Sequence, residues 1–308
     1  MALIFYSPIN PADVWEAELK KHLPELDFRR WEAPGDKSEI DMALCWKPPP
    51  GGLAKFPNLK VIFSLAAGID SLTADPALPD VPIVRMVEPS LTAGVAEYVL
   101  LHVLRHHKDQ PRFAEQQKAR IWQEHFAPPA WTRRVGLLGL GAIGAEAARM
   151  LVAVGFEVAG WSRTQKHLAD VTSYFGPDQL DGFLARSDIL VCLLPKTRQT
   201  DGILNAALFA KLPQGASLIN AGRGDQLIED DLLAALDSGQ LSQATLDVFA
   251  TEPLPPAHPF WAHPRITVTP HSAGDPFAAS AARVVAENIR RFRAGQPLPH
   301  LYDRKAGY

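Results

Sequence analysis

Two cysteines, Cys45 and Cys192, are all that the 308 residues contain. They are too few for a disulfide framework and are not spaced as metal ligands, so a reducing compartment, two core thiols and no metal centre are expected. Charge of one sign is lacking as well. The 31 basic residues face 34 acidic ones for a net charge of −3, and there is no basic block of the kind that attracts nucleic acid or an anionic membrane surface. The expected partner is a small molecule or another protein. Long hydrophobic runs are missing too: ILVCLLP, from Ile189 to Pro195, falls far short of the roughly 20 apolar residues that span a bilayer. The opening MALIFYSPINP has no basic start and too short an apolar run for a secretion signal, so a soluble cytoplasmic protein is expected. No segment repeats at a period of about 20 to 50 residues.

What the chain does have is apolar residues, 47% of the total, over a length at which single cores stop growing, so two compact domains are expected. Short β-rich runs alternate with helical patterns from the start. LIFY, DFRRW, MALCW, LKVIFSL and PIVRM read as strands joined by amphipathic or Pro/Gly-rich connections, the pattern of a parallel sheet with crossover helices. SLTAGVAEYVLLHVLRHHKDQ follows, with Val95, Val99, Val103 and His106 or His107 at helical spacing beside Leu100 and Leu104, and predicts a long helix. A second alternation then runs through RVGLLGL, FEVAGW, SDILVCLL, ASLINA, QATLDVF and RITVTP, apolar enough for strands buried on both faces. PFAASAARVVAENIRRFRAG ends the chain as a helix that no strand follows; its return to the first domain would make that domain discontinuous.

Gly139, Gly141 and Gly144 form G-L-G-A-I-G between the apolar run Val135 to Leu138 and the helical AEAARMLVAVG. In that context the first glycine permits the tight turn, the second lets backbone approach a pyrophosphate, and the third lets helix and strand pack closely. Ala142 and Ile143 open the helix whose N-terminus meets the phosphate. About twenty residues later, where NAD-binding folds place an acid on the ribose hydroxyl, the sequence is GWSRTQKH, Gly160 to His167. Here the acid is missing. Ser162 takes its place and Arg163, Thr164 and Lys166 follow, cations and donors that suit a 2′-phosphate and that an acid would oppose. The expected cofactor is NADP(H), with NAD(H) as the alternative; the competing reading is an ordinary solvated loop.

Three segments lie just past later strands, where ligands bind in open α/β sheets: INAGRGD, LDVFATEPLP and TPHSAG. Arg223, Glu252 and His271 are the candidate catalytic residues among them. An arginine grips a carboxylate through two parallel hydrogen bonds, a histidine supplies a proton near neutral pH, and a carboxylate beside the imidazole orients it. Taken singly, each also reads as a structural residue: a turn arginine, a surface cap, a hydrogen-bonded core histidine. Leu194, Pro195, Ala221, Gly222 and Gly274, at the same strand ends, are candidate cofactor contacts.

The glycine fingerprint, NAGRGD, LLAALDSGQL, ATLDVFATEPLPPAHPFW and RITVTPHSAG together resemble the D-isomer-specific 2-hydroxyacid dehydrogenases. The WSRT strand ending, the early LCWKPP and the overall length are most similar to that family's glyoxylate/hydroxypyruvate reductase A branch. The fold so implied is α/β, a Rossmann-type doubly wound parallel sheet plus a second, flavodoxin-like α/β domain. Residues 1–97 with 276–308 would be the substrate-binding domain and 98–275 the dinucleotide-binding domain, with hinges near Glu97 and Asp275 and a homodimer built mainly on the nucleotide domains. The resemblance implies that Arg223 holds the substrate carboxylate and keto oxygen, His271 is the acid/base and Glu252 pairs with it. It further implies that Ala67 and Gly68, in the A-A-G-I-D loop, receive the carboxylate on backbone N–H groups, that Trp46 walls the substrate site, and that Asp247 lines the nicotinamide pocket. The commonest family motif has alanine before R-G; Gly222 here is expected to loosen the loop that holds Arg223. The function implied is NADPH-dependent reduction of a small 2-oxo acid, with a bulkier substrate such as phenylpyruvate, or a non-catalytic nucleotide-sensing protein, as alternatives.

Overall fold

The computed structural model describes residues 1–304; residues 305–308 of the expected 276–308 segment lie outside the described residues. The chain divides into two compact units, Met1–Leu91 with Asp275–Tyr308, and Thr92–Gly274.

The first unit holds five parallel strands, β1 (Ala2–Tyr6), β2 (Asp27–Arg30), β3 (Ile40–Cys45), β4 (Val61–Ser64) and β5 (Ile83–Val84), in the order β2-β1-β3-β4-β5. That is a flavodoxin-like order. All five expected runs became strands, and β3 lies inside the sheet and is buried along its whole length. β2, with two arginines, takes the edge, where alternate residues can meet water. The helix Ala278–Arg293 packs against the helix Ala12–His22 of the same unit, burying Ala281, Ala282, Val285, Ala286 and Ile289 at helical spacing. Arg290 ties the pair by donating to the His22 carbonyl at 2.7 Å.

The second unit holds seven parallel strands: β6 (Arg134–Leu138), β7 (Glu157–Ser162), β8 (Val171–Phe175), β9 (Ile189–Cys192), β10 (Ala216–Asn220), β11 (Leu241–Leu246) and β12 (Ile266–Val268). Their order is β12-β11-β10-β9-β6-β7-β8. Successive strands are laid to one side of β6 and then, from β9, to the other, so a crevice opens beyond the carboxyl ends of β6 and β9, the place where such sheets bind nucleotides. Six of the seven were expected. β8 was not, because it lies at the sheet edge with half-exposed and exposed residues in place of an apolar run.

The long helix spans Pro89–His107 and ends before Asp109, which adopts a left-handed conformation with φ 52°. Val95, Val99, Val103, His106 and His107 are buried, as their spacing predicts. Burial pushes the His106 imidazole down to about 3 and that of His102 to about 4, so both stay uncharged at neutral pH. His106 Nε2 shares a 2.9 Å hydrogen bond with Thr245 Oγ1 on β11. Among the described residues, no helix is long and apolar enough to cross a membrane.

Candidate active site

In a parallel sheet every strand ends on the same edge. The glycine turn after β6, Pro195 after β9, Arg223 after β10, Asp247 after β11 and His271 after β12 therefore share the carboxyl edge of the second unit's sheet.

Each glycine of the turn has a distinct physical reason. Gly139 sits at φ 110°, which side chains rarely adopt. A Cβ on Gly144 would lie 1.9 Å from the Gly139 carbonyl oxygen, so only glycine lets the helix Ala142–Val154 start this close to the turn. A Cβ on Gly141 would meet nothing within 4 Å. Gly141 caps this 13-residue helix without a side-chain hydrogen bond, and the first turn carries no acid. Open space above uncapped N–H groups at a positive helix end fits a pyrophosphate, with Ala142 and Ile143 presenting the first turn.

At the end of β7, Ser162 is buried and its hydroxyl donates to the Thr164 carbonyl at 2.7 Å, which curls the chain into the exposed stretch Arg163–Lys166. The Lys166 N–H donates to Ser173 Oγ on β8, so the strand that the sequence hid is what supports this loop. No acid occurs between Gly160 and Leu168.

His271 and Glu252 come together. His271 Nδ1 lies 2.8 Å from Glu252 Oε2, while Glu252 Oε1 accepts from the Phe249 N–H at 3.1 Å. An ionised carboxylate only accepts, so Nδ1 carries the hydrogen of that bond and Nε2 is the nitrogen left for chemistry. His271 has φ 51°, uncommon for a residue with a side chain. It is held there by its own N–H, which donates to the Asp247 carbonyl at 2.8 Å.

Asp247 itself is 1% exposed. Its Oδ1 accepts from Thr269 Oγ1 at 2.6 Å and the Ser272 N–H at 2.9 Å, and its Oδ2 from the Ala273 N–H at 3.0 Å. Because the Thr269 hydroxyl proton is spent on Asp247, the Tyr98 phenol must donate into Thr269 across their 2.7 Å contact. Burial pushes that phenol's pKa up, which keeps it protonated for the task. Reading the strand ends for polar residues found His271, and the family resemblance pointed to Asp247, but both missed Thr269 and Tyr98. The only available signal was the adjacency of Thr269 to the T-P-H motif; nothing local ties Tyr98 to it.

Arg223 follows β10 with its backbone fixed by buried Asn220. Asn220 Oδ1 accepts from the Gly222 N–H at 3.1 Å, and Asn220 Nδ2 donates to the Arg223 carbonyl at 3.2 Å. The Arg223 guanidinium donates back to the Gly222 carbonyl at 2.7 Å. Leu194, Pro195, Ala221 and Gly274 stand at the ends of β9, β10 and β12, on the same sheet edge.

In the first unit, Trp46 directly follows β3, half-buried, with its N–H donating to the Tyr6 carbonyl at 2.9 Å and the Lys47 ammonium 4.7 Å from its ring centre. Ala67 and Gly68 follow β4 in a loop held by Ser64. The Ser64 hydroxyl donates to the Ala66 carbonyl at 2.9 Å and accepts its N–H at 3.0 Å. All three stand at the carboxyl edge of the first sheet.

The NAD-binding domain of the D-isomer-specific 2-hydroxyacid dehydrogenases matches residues 100–273. The chain belongs to that family. Its similarity to family members extends over the whole length. It is 42% identical over 314 aligned positions to the glyoxylate/hydroxypyruvate reductase A of Serratia proteamaculans (strain 568), covering 100% of both chains. Among solved structures, a D-isomer-specific 2-hydroxyacid dehydrogenase from Xanthobacter autotrophicus Py2, in complex with NADPH and MES, superposes with a TM-score of 0.97 at 44% identity. That match covers 100% of this chain and 99% of the other. The NADPH-dependent glyoxylate/hydroxypyruvate reductase of Sinorhizobium meliloti, in complex with NADP and sulfate, gives a TM-score of 0.94 at 39% identity over 100% of both chains. As a 2-hydroxyacid dehydrogenase, the protein is an oxidoreductase that acts between a 2-hydroxy acid and a 2-oxo acid.

Proposed function

We propose that the protein reduces a small 2-oxo acid, such as glyoxylate or hydroxypyruvate, to the 2-hydroxy acid with NADPH. The observation that carries the reading is the pairing of His271 Nδ1 with Glu252 at 2.8 Å on the sheet edge that also bears the glycine turn. Bound NADPH would supply a hydride to the carbonyl carbon. The carbonyl oxygen takes the proton of His271 Nε2 as its negative charge forms, and Glu252 stabilises the imidazolium before that transfer and keeps the ring oriented throughout. Arg223 grips the substrate carboxylate in its planar fork and offers hydrogen bonds to the developing alkoxide. From the first unit, Trp46 and the N–H groups of Ala67 and Gly68 are assigned to the substrate, a role supported by their place in the family's pattern. Gly139, Gly141, Ala142, Ile143 and Gly144 are assigned to the pyrophosphate, and Leu194, Pro195, Ala221, Gly222, Asp247 and Gly274 to the rest of the cofactor.

Arg163 and Lys166, with Ser162 and Thr164 beside them, are assigned to the 2′-phosphate. The support is the acid-free loop after β7, together with the NADPH and NADP held by the two solved relatives. Steady-state kinetics with both cofactors test it. NADPH is expected to give the higher kcat/KM, and Arg163→Ala is expected to narrow the preference by about tenfold, the effect of a lost charge-assisted bond of about 1.4 kcal/mol. An NADH preference in the unaltered protein overturns the assignment, and absence of turnover on every 2-oxo acid tried overturns the reductase reading.

Self-association as a homodimer is also proposed. Ile121, Trp122, Phe126 and Trp131 are 54%, 93%, 82% and 72% exposed within one short, largely irregular stretch of the second unit. Aromatic residues so gathered on a surface mark an interface. Light scattering is expected to give about twice the 33.7 kDa chain mass; a monomer at micromolar concentration would remove the claim. A cytoplasmic location is supported by the two cysteines, both free and buried, with burial pushing each thiol up to about 12.

A further inference from the structure

Beside Arg223 lies an amide that neither the sequence motifs nor the chemistry above employs. Gln226, three residues on, is 0% exposed, and all four of its amide hydrogen-bonding positions are filled. Its Nε2 donates to the Leu194 carbonyl at 2.9 Å and the Pro195 carbonyl at 3.1 Å. Its Oε1 accepts from the Arg223 N–H at 2.9 Å and from Cys192 Sγ at 3.4 Å. The opposite amide orientation would aim NH₂ at the Arg223 N–H and oxygen at two carbonyls, so the network permits only one setting.

The glycine before Arg223 belongs to the same arrangement. A Cβ at position 222 would stand 2.4 Å from Gln226 Oε1 and 3.1 Å from the Leu194 carbonyl. Alanine and this amide cannot both occupy their places. The expectation that Gly222 loosens the loop is therefore reversed: it makes the room that Gln226 uses to hold the loop. With Asn220 taking the Gly222 N–H and the Arg223 carbonyl, and the guanidinium taking the Gly222 carbonyl, every backbone polar group of residues 222 and 223 is engaged.

We propose that Gln226 is a positioning residue for Arg223, joining the arginine's backbone to the Leu194–Pro195 turn of the neighbouring strand, and that Gly222 and Gln226 act as a coupled pair. This deepens the reductase reading and rests on Arg223 gripping the oxo acid. A fully satisfied buried amide has one geometry, so it fixes where the guanidinium stem starts and thereby where the fork ends. Its loss leaves the guanidinium present but misplaced, a defect that falls on substrate affinity.

The test uses the full chain with NADPH, glyoxylate, and oxalate as a dianion that cannot be reduced. Gln226→Ala is expected to raise the KM for glyoxylate and the Ki for oxalate together by about tenfold, the scale of a lost buried hydrogen-bond partner. A residue with only a structural role would lower the melting temperature and leave both constants at their wild-type values in the folded enzyme, and that result overturns the proposal. Gly222→Ala is expected to cause a similar loss, because it expels the amide. The double variant is expected to be no worse than Gln226→Ala alone within about twofold, because the 2.4 Å clash is then gone and only the 3.1 Å approach to the Leu194 carbonyl remains; losses that multiply remove the coupling.

Gln226→Glu gives a second route should the alanine variant not fold. Ionised, its outer oxygen faces the Leu194 and Pro195 carbonyls; protonated, it can donate to one of them and still receive the Arg223 N–H. Its kcat/KM relative to wild type is expected to rise as pH falls from about 8 to about 5, and a flat ratio counts against the clamp. If the wild-type protein reduces no 2-oxo acid, the reductase reading fails separately. Melting temperatures then decide the pairing: the double variant must lose less than the sum of the singles, and additive losses overturn it.

Discussion

Replacing His271 by alanine is expected to lower kcat for glyoxylate reduction by about 10²–10⁴-fold, the range for loss of a positioned general acid. The alkoxide formed by hydride addition is far more basic than water, so without a donor in contact its charge has to develop unrelieved or wait for solvent. The KM for the oxo acid should move little by comparison, because the carboxylate is assigned to Arg223. Glu252→Gln should cost less than the histidine change. The amide oxygen can still accept from Nδ1, but its NH₂ then faces the Phe249 N–H, which loses its acceptor, and the charge that stabilises the imidazolium is gone. Single-turnover reduction, with a deuterium isotope effect from NADPH labelled at the transferred position, shows whether hydride transfer limits the rate. An alanine variant with wild-type turnover under that condition ends the assignment of His271 as the acid.

Arg223→Ala is expected to lower kcat/KM by about 10³-fold or more, with KM and kcat both affected. On the roles proposed for Arg223, two functions vanish at once. The bidentate bond to the carboxylate is present in ground state and transition state alike, so its loss appears in KM. The hydrogen bond to the forming alkoxide exists only in the transition state, so its loss appears in kcat, on the order of 10²–10³-fold for an oxyanion donor. Lysine at this position keeps the charge but not the fork, and should recover little. Steady-state kinetics over a range of glyoxylate concentrations separate the two effects, and an unchanged KM in the alanine variant would show that the carboxylate is held elsewhere. The contrast with Gln226→Ala is informative: that variant keeps the guanidinium, so its loss should be smaller and weighted toward KM.

Much of this architecture was legible in the sequence because it depends on short-range pattern. Unbroken apolar runs such as Ile189–Cys192 became strands buried throughout. The spacing of the glycines was readable because Gly139 and Gly144 answer constraints within one turn of chain. β8 escaped because its half-exposed run, Val171–Phe175, lacks the apolar continuity that identifies an interior strand. The effect of Gly222 was misread for another reason. A glycine seen in sequence is only flexible, whereas its effect here depends on a neighbouring amide that fills the space a Cβ would take.

By itself the sequence determined the residue types, their order, the two α/β units and the presence of Arg223, Glu252 and His271 just past the strand ends. Which atoms meet was decided only by tertiary structure. The ladder register, with Asn220 level with Leu246 and Leu246 with Val268, brings the residues just past β10, β11 and β12 side by side. That is how Asp247 comes to bond the loop around His271, Tyr98 to reach Thr269 from 171 positions away, and Gln226 to join two strand ends. Hydrogen bonds act over about 3 Å and depend on direction, so partners far apart in the chain become definite only once the sheet has set their distance and angle.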